Sequence, residues 1–154
     1  MLKLYKADSD GALTHYWEHW ETTPGTHTVH WGAIGTKGAT KESHAQDAIA
    51  EAARMTAAGY APVPQESLTF VVIEYPTRHT WPSEDELDKR YAVEDLMNGV
   101  LGWRGLGYCD GGSAGSGSME VALCVVDVAK TEAAVREVLA GTPYADFSRI
   151  YSEG

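Results

Sequence analysis

Trp31-Gly32-Ala33-Ile34-Gly35-Thr36-Lys37-Gly38 decides how the first part of this chain folds. The stretch ends one strand and reverses the chain through Gly32, Gly35 and Gly38. Glycine supplies the positive-φ positions that tight turns need. The reversal leaves an indole, Trp31, and an ammonium, Lys37, beside exposed backbone.

The neighbouring segments build a small sheet around that turn. Residues 2–7 alternate as a short strand, and 8–11 form a turn. Residues 13–21 and 26–33 pair as a hairpin about Thr23-Pro24-Gly25, and 39–43 add a fourth strand. Ser43-His44-Ala45-Gln46 has the spacing of a capping box. The helix it opens places Ala45, Ala48, Ile49 and Ala52 on one face, with Gly59 to cap its end.

Leu4-Tyr5, Tyr16-Trp17-Glu18-His19-Trp20-Glu21, Val29-His30-Trp31-Gly32, Gly35-Thr36-Lys37-Gly38 and the alanine-rich helix ending at Gly59-Tyr60 together resemble the WGR domain. The resemblance covers residues 2 to 60. The family occurs in poly(ADP-ribose) polymerases and in bacterial proteins related to a molybdate regulator. In the polymerases the signature Trp and Arg contact DNA ends and neighbouring domains. Here Trp31 matches and the third signature residue is Ala33. The resemblance implies a binding surface around Trp31, Gly32, Lys37 and Lys41, with Trp17, His19 and His30 beside it. Without the planar guanidinium fork that grips phosphate, duplex-DNA binding is expected to be weak.

Charge points the same way. The net charge is −10. Residues 1–64 carry five Lys/Arg against seven Asp/Glu, and residues 65–154 carry seven against fifteen. Neutralising phosphates takes clustered cations, which neither half supplies. Lys3, Lys6, Lys37 and Lys41 make a small local patch at most. A protein or peptide partner is therefore preferred over nucleic acid, and a homodimer is also open.

Ala61-Pro62-Val63-Pro64-Gln65 reads as an extended connector, since neither proline can continue a helix. The expected organisation is a WGR-like domain at 1–61, a linker at 62–66 and a second domain at 67–154. That second domain reads as strand 68–75, helix, strand 104–109, strand 119–127, helix 131–140 and a last strand near 145–151. Ser83-Glu84-Asp85-Glu86 is a capping box for its first helix, which carries a stripe of Val93, Leu96, Met97, Val100 and Leu101. The order β-α-β-β-α-β is that of a ferredoxin-like α+β fold. Strands 68–75 and 119–127 are apolar on both faces and belong in the middle of their sheet. The sheet face that carries no helices must then meet the first domain, a second subunit or a ligand.

Candidate chemistry is sparse. If the hairpin strands pair symmetrically about Pro24, His15, Trp17 and His19 are expected to share a face with His30. Three imidazoles could hold zinc, but no Cys or carboxylate completes a set with recognised spacing, and no metal is expected. Residues 111–117 read as a flexible Gly-Ser hairpin connection that lacks phosphate-loop and dinucleotide patterns. As a ligand loop, Asp110, Gly111, Gly112 and Glu120 would oppose a phosphate and suit a cation or an amine. No cofactor and no catalytic group is expected: the serines lack a nucleophile elbow, and Cys109 and Cys124 have only His79 in their half. Glu74, Asp110 and Glu120 are the remaining acid-base candidates. No apolar run is long enough to span a bilayer, no secretory leader opens the chain, and a soluble cytoplasmic protein is expected. Two readings stand: a non-catalytic interaction protein centred on Trp31 and Lys37, or a small-molecule binder or enzyme using the open sheet face.

Overall fold

The computed structural model describes residues 1–153. The described residues form an α+β structure with two four-stranded antiparallel sheets and three α-helices. The chain divides into two compact units, one spanning Met1–Ser67 and one beginning at Leu68. Among the described residues no helix is long and apolar enough to cross a membrane.

The first unit is a meander. Strands β1 (Leu2–Ala7), β2 (Leu13–Thr23), β3 (Thr26–Ala33) and β4 (Ala39–His44) lie in the order β1-β2-β3-β4, and α1 (Ala45–Ala57) follows. The β1–β2 turn is held by Asp8, whose carboxylate accepts from the Asp10 and Ala12 amides at 2.9 and 3.1 Å. Leu4, Trp17, Val29, Ala48 and Ala52 form the core, flanked by Leu2, Met55 and Tyr60. After α1 the chain returns along β1, where Tyr5 and Ala61 exchange two backbone bonds of 2.8 Å. That pairing covers part of an otherwise open sheet edge.

The hairpin register is symmetric about Pro24, with Trp17 opposite Trp31 and Glu18 opposite His30. Directly paired residues share a face, so His30 lies with Tyr16 and Glu18. It is on the opposite face from His15, Trp17 and His19, and the expected three-imidazole surface does not form. The imidazole that does join His19 is His27, which pairs with Glu21.

Two helix expectations also change. Ser43 remains in the β4 ladder opposite His27, so it cannot cap α1. Its hydroxyl donates to the His44 carbonyl, and His44 holds the cap position without a side-chain bond. Ile49 is 62% exposed, while Ala48 and Ala52 are buried. The buried stripe runs through Ala48, Ala52 and Met55, and small side chains there let the helix sit close to the sheet. Gly59, at φ +100, follows the Ala58 cap as expected of a helix-ending glycine.

The second unit contains β5 (Thr69–Pro76), α2 (Glu84–Trp103), β6 (Gly107–Gly115), β7 (Ser118–Val125), α3 (Val128–Leu139) and β8 (Arg149–Glu153). Its sheet runs β6-β7-β5-β8 with every neighbour antiparallel. The two strands that are apolar on both faces, β5 and β7, hold the interior positions. Val71, Ile73 and Tyr75 with Met119, Val121, Leu123 and Val125 are buried on the helix-bearing face. Val93, Met97 and Leu101 of α2 and Ala134, Val135 and Leu139 of α3 complete that core. The Ser83 capping box forms in full: Ser83 accepts from the Glu86 amide while the Glu86 carboxylate accepts from the Ser83 amide at 3.0 Å.

Residues 111–117 are not a flexible connection. β6 continues through Gly115 with a bulge between Cys109 and Gly112. The reversal needs only Ser116 and Gly117, at φ 57 and 86, the two positive-φ residues of a tight hairpin turn. Gly112 is required by close approach: a Cβ there would lie 2.2 Å from the Glu120 carbonyl oxygen. A glycine-rich composition is thus used here to build a strand.

Candidate functional site

The glycine turn of the first unit is anchored from beneath by a buried polar chain. Tyr16 Oη donates to the Thr36 carbonyl at 2.7 Å. His30 Nε2 lies 2.6 Å from the Lys37 carbonyl and 3.1 Å from Tyr16 Oη. His30 Nδ1 meets Glu18 Oε2 at 2.7 Å, so a single proton joins that pair. Tyr16, Glu18 and His30 are all buried. Burial and then the Glu18 carboxylate push the Tyr16 phenol up to about 12, which keeps it a donor at neutral pH. Thr36 adds a bond from its hydroxyl to the Ala33 carbonyl at 2.7 Å.

Gly32 and Gly38 serve the same arrangement. A Cβ on Gly38, at φ +64, would lie 2.0 Å from the Trp31 carbonyl oxygen and 2.6 Å from Tyr16 Oη. A Cβ on Gly32 would lie 2.7 Å from Gly38 Cα. The turn therefore folds flat onto the end of β3.

On the α1 face, Glu51 gathers two partners of different kinds. Trp17 Nε1 donates to its Oε2 at 2.8 Å, and Lys41 Nζ donates to its Oε1 at 2.6 Å. Lys41 also lies over the Trp31 ring, 5.6 Å from the centroid. Burial raises the Glu51 carboxyl, but the Lys41 and Trp17 bonds outweigh it and hold the group below its usual range. Trp31 is 36% exposed. Lys37 and Ala33 are exposed at the turn, and Lys37 makes no ion pair among the described residues.

The expected partner-binding residues thus separate into two groups. Trp31 and Lys41 reach the surface on the α1 face, and Lys37 reaches it on the turn bonded to Tyr16 and His30 of the other face. Trp17 and His30 are buried and act as supports; neither presents itself to a partner. Lys3 faces Glu18 at 3.9 Å on the side of the sheet opposite Lys41, so the small basic patch is split. Glu18 and Glu51 were missed by sequence reasoning. Pairing arithmetic about Pro24 sets Glu18 against His30, and Glu51 is three residues on from Ala48 in the buried stripe.

His19 and His27 form a separate imidazole pair, half-buried, with Nδ1 atoms 2.8 Å apart. Among the described residues no group of three or more His, Cys, Asp or Glu is placed to hold a metal ion.

In the second unit, Glu74 and Glu120 stand directly opposite each other on β5 and β7. They share the sheet face that carries no helices. Arg149 Nε donates to Glu74 at 2.6 Å, and Tyr151 and Ser113 donate to the two oxygens of Glu120 at 3.1 and 3.3 Å. The Arg149 bond holds the Glu74 carboxyl below its usual range. The Arg149 guanidinium also stacks 4.0 Å from the Tyr151 ring centroid. Beside Glu120 is a shallow depression of about 190 Å³ lined by Ser113, Ala114, Gly115, Ser116 and Ser118. Asp110 and Gly111 lie apart from it, in the β6 bulge. Burial raises both the Cys109 and Cys124 thiols, which disfavours the nucleophilic thiolate.

Comparison of the chain with protein-family models, with curated proteins and with solved structures gave no match.

Proposed function

We propose that this chain is a non-catalytic interaction protein: a WGR-like module at the N-terminus, fused to a ferredoxin-like unit, that binds a protein or peptide through Trp31 and Lys37. One observation carries the reading. An exposed ammonium, Lys37, which makes no ion pair among the described residues, sits on a turn held by Tyr16, His30 and Glu18, and that turn closes the end of the strand carrying the half-exposed Trp31 indole. Buried polar groups are costly unless fully satisfied, and here they fix the backbone that carries Lys37 and follows the Trp31 strand. Rigid aromatic anchors lose little entropy on binding. The meander β1-β2-β3-β4 with one helix supports the WGR-like assignment. The order β6-β7-β5-β8 with β-α-β-β-α-β connectivity supports the ferredoxin-like one.

Charge favours peptide over duplex DNA. Lys41 is committed to Glu51, and Lys3 faces Glu18 on the other side of the sheet. Lys37 alone remains at the turn, against an overall charge of −10. One cation releases about one phosphate counterion, too little for tight binding at physiological salt.

The test uses the full chain as bait. A captured protein is purified and titrated against wild type, Trp31→Ala and Lys37→Glu, each checked for folding by circular dichroism. Loss of a hot-spot aromatic should weaken binding by roughly 30-fold. Unchanged affinity in both variants, or tight duplex binding with a steep salt dependence, refutes the proposal.

The second reading is a small-molecule binder on the open face of the ferredoxin-like unit. It is favoured by the Arg149-Glu74 and Tyr151-Glu120-Ser113 bonds, which link all four strands. Ligand-induced chemical shifts confined to those residues and indifferent to Trp31→Ala would select it.

A further inference from the structure

The sheet of the first unit has two edges, β1 and β4. Ala61 covers part of β1 through its two backbone bonds to Tyr5. β4 is left open. It pairs only with β3, in a register without a bulge, and its residues are exposed apart from the half-buried Ser43. The strand contains neither proline nor glycine. Among the described residues no backbone group of 39–43 bonds outside the β3 ladder. Alternate N–H and C=O groups of such an edge point away from the sheet and are a template for another strand.

We propose that β4 is a docking edge and that its occupant is an extended, basic segment of a partner protein, added to the sheet as a further strand. This mode rests on the peptide-binding role given to Trp31. The β4 backbone supplies the hydrogen bonds, and side chains on the two faces set the sequence it accepts. Trp31 pairs with Ala39, so on the α1 face only a methyl group stands between the indole and the edge. Strands lie about 4.8 Å apart, and a large apolar side chain opposite Ala39 reaches the indole across it. Glu42 projects from the other face, exposed and without an ion pair among the described residues. A lysine or arginine opposite it makes a favourable cross-strand pair, and the net charge of −10 attracts a basic segment. Ala39 and Glu42 are an odd number of residues apart and lie on opposite faces. The segment they fit alternates apolar and basic residues.

A second copy of this chain is the poorer occupant. In a two-fold symmetric antiparallel pair, directly opposite residues share a face, so their numbers sum to an even value. The two such registers with the greatest overlap of β4 put Lys41 opposite its own counterpart or Glu42 opposite its own. Like charges directly opposite are destabilising, and edge charges of this kind discourage self-pairing. A basic segment of another protein meets neither obstacle at Glu42.

The test titrates the isotope-labelled full chain with a capped peptide of alternating valine and lysine long enough to span β4, read by NMR and amide exchange. The expected result is slowed exchange at alternate amides of 39–44 and a shift of the Trp31 indole N–H. A valine–glutamate peptide of equal length binds more weakly. Glu42→Lys alters an exposed side chain and weakens the lysine peptide by about fivefold. If that variant fails to fold, the wild-type preference between the two peptides decides, and equal affinity for both overturns the proposal. Binding lost in Trp31→Ala but unchanged in Glu42→Lys leaves the indole surface standing and overturns strand addition; no effect of either variant overturns both. Unchanged β4 amide exchange at millimolar lysine peptide also overturns it. So does a free chain that dimerises at micromolar concentration with its β4 amides already protected, because the edge then belongs to a second copy.

Discussion

Gly38→Ala is the sharpest probe of the anchored turn. The new methyl group would lie 2.0 Å from the Trp31 carbonyl oxygen and 2.6 Å from Tyr16 Oη, at φ +64. The left-handed backbone alone costs an alanine about 1 kcal/mol. The overlap involves backbone and cannot be relieved by a rotamer change, so the turn must lift. Lifting breaks the bonds to the Thr36 and Lys37 carbonyls, now 2.7 and 2.6 Å long. Each buried partner left unsatisfied costs roughly 1–3 kcal/mol. The expected loss is about 3–7 kcal/mol, most of the stability available to a unit of this size. Gly59→Ala is the matched control, because Gly59 has φ +100 and nothing within 4 Å of the added Cβ. It should cost only about 1 kcal/mol. A urea titration followed by the Trp17 indole N–H resonance reads the first unit specifically. If Gly38→Ala unfolds within about 1 kcal/mol of Gly59→Ala, close approach is not what the glycine provides.

Other outcomes follow from single contacts. Glu51 has a folded-state pKa below its unfolded value, so its contribution is complete above the usual glutamate range and is lost as pH falls through the folded pKa. Acid titrations should therefore show Glu51→Gln narrowing the stability difference between pH 7 and pH 3 relative to wild type. Ser83→Ala removes one half of the α2 capping box and should cost about 0.5–2 kcal/mol in thermal or urea unfolding of the second unit. Ala33→Arg adds a cation at an exposed position beside Lys37. Fluorescence titration with duplex DNA should then show a salt slope steeper by about 0.9 while affinity stays weak.

Much of the fold was legible because it follows local rules. Alternation marked the strands, two-sided apolar runs put β5 and β7 inside their sheet, and Ser-x-x-Glu after Pro82 marked the start of α2. The same rules misled where tertiary pairing competes with them. Ser43 has a capping spacing, yet the β4 ladder holds its backbone. Residues 111–115 have the composition of a linker, yet β7 pairs with them and needs their missing side chains at Gly112. Hydrogen bonds along a whole ladder outweigh the local preference of one Ser or Gly.

The candidate site divides along the same line. The sequence by itself determined that Trp31 and Lys37 flank a glycine turn, because glycine spacing and strand period are properties of consecutive residues. Only the tertiary structure decided that Trp17 and His30 are supports and that Glu18 and Glu51 are their partners. It also decided that His27 meets His19. A strand's side chains alternate with period two, so moving one residue along the ladder exchanges the buried face for the exposed one. Which polar group becomes an anchor and which stays in solvent is set by that register and by the helix that packs on it.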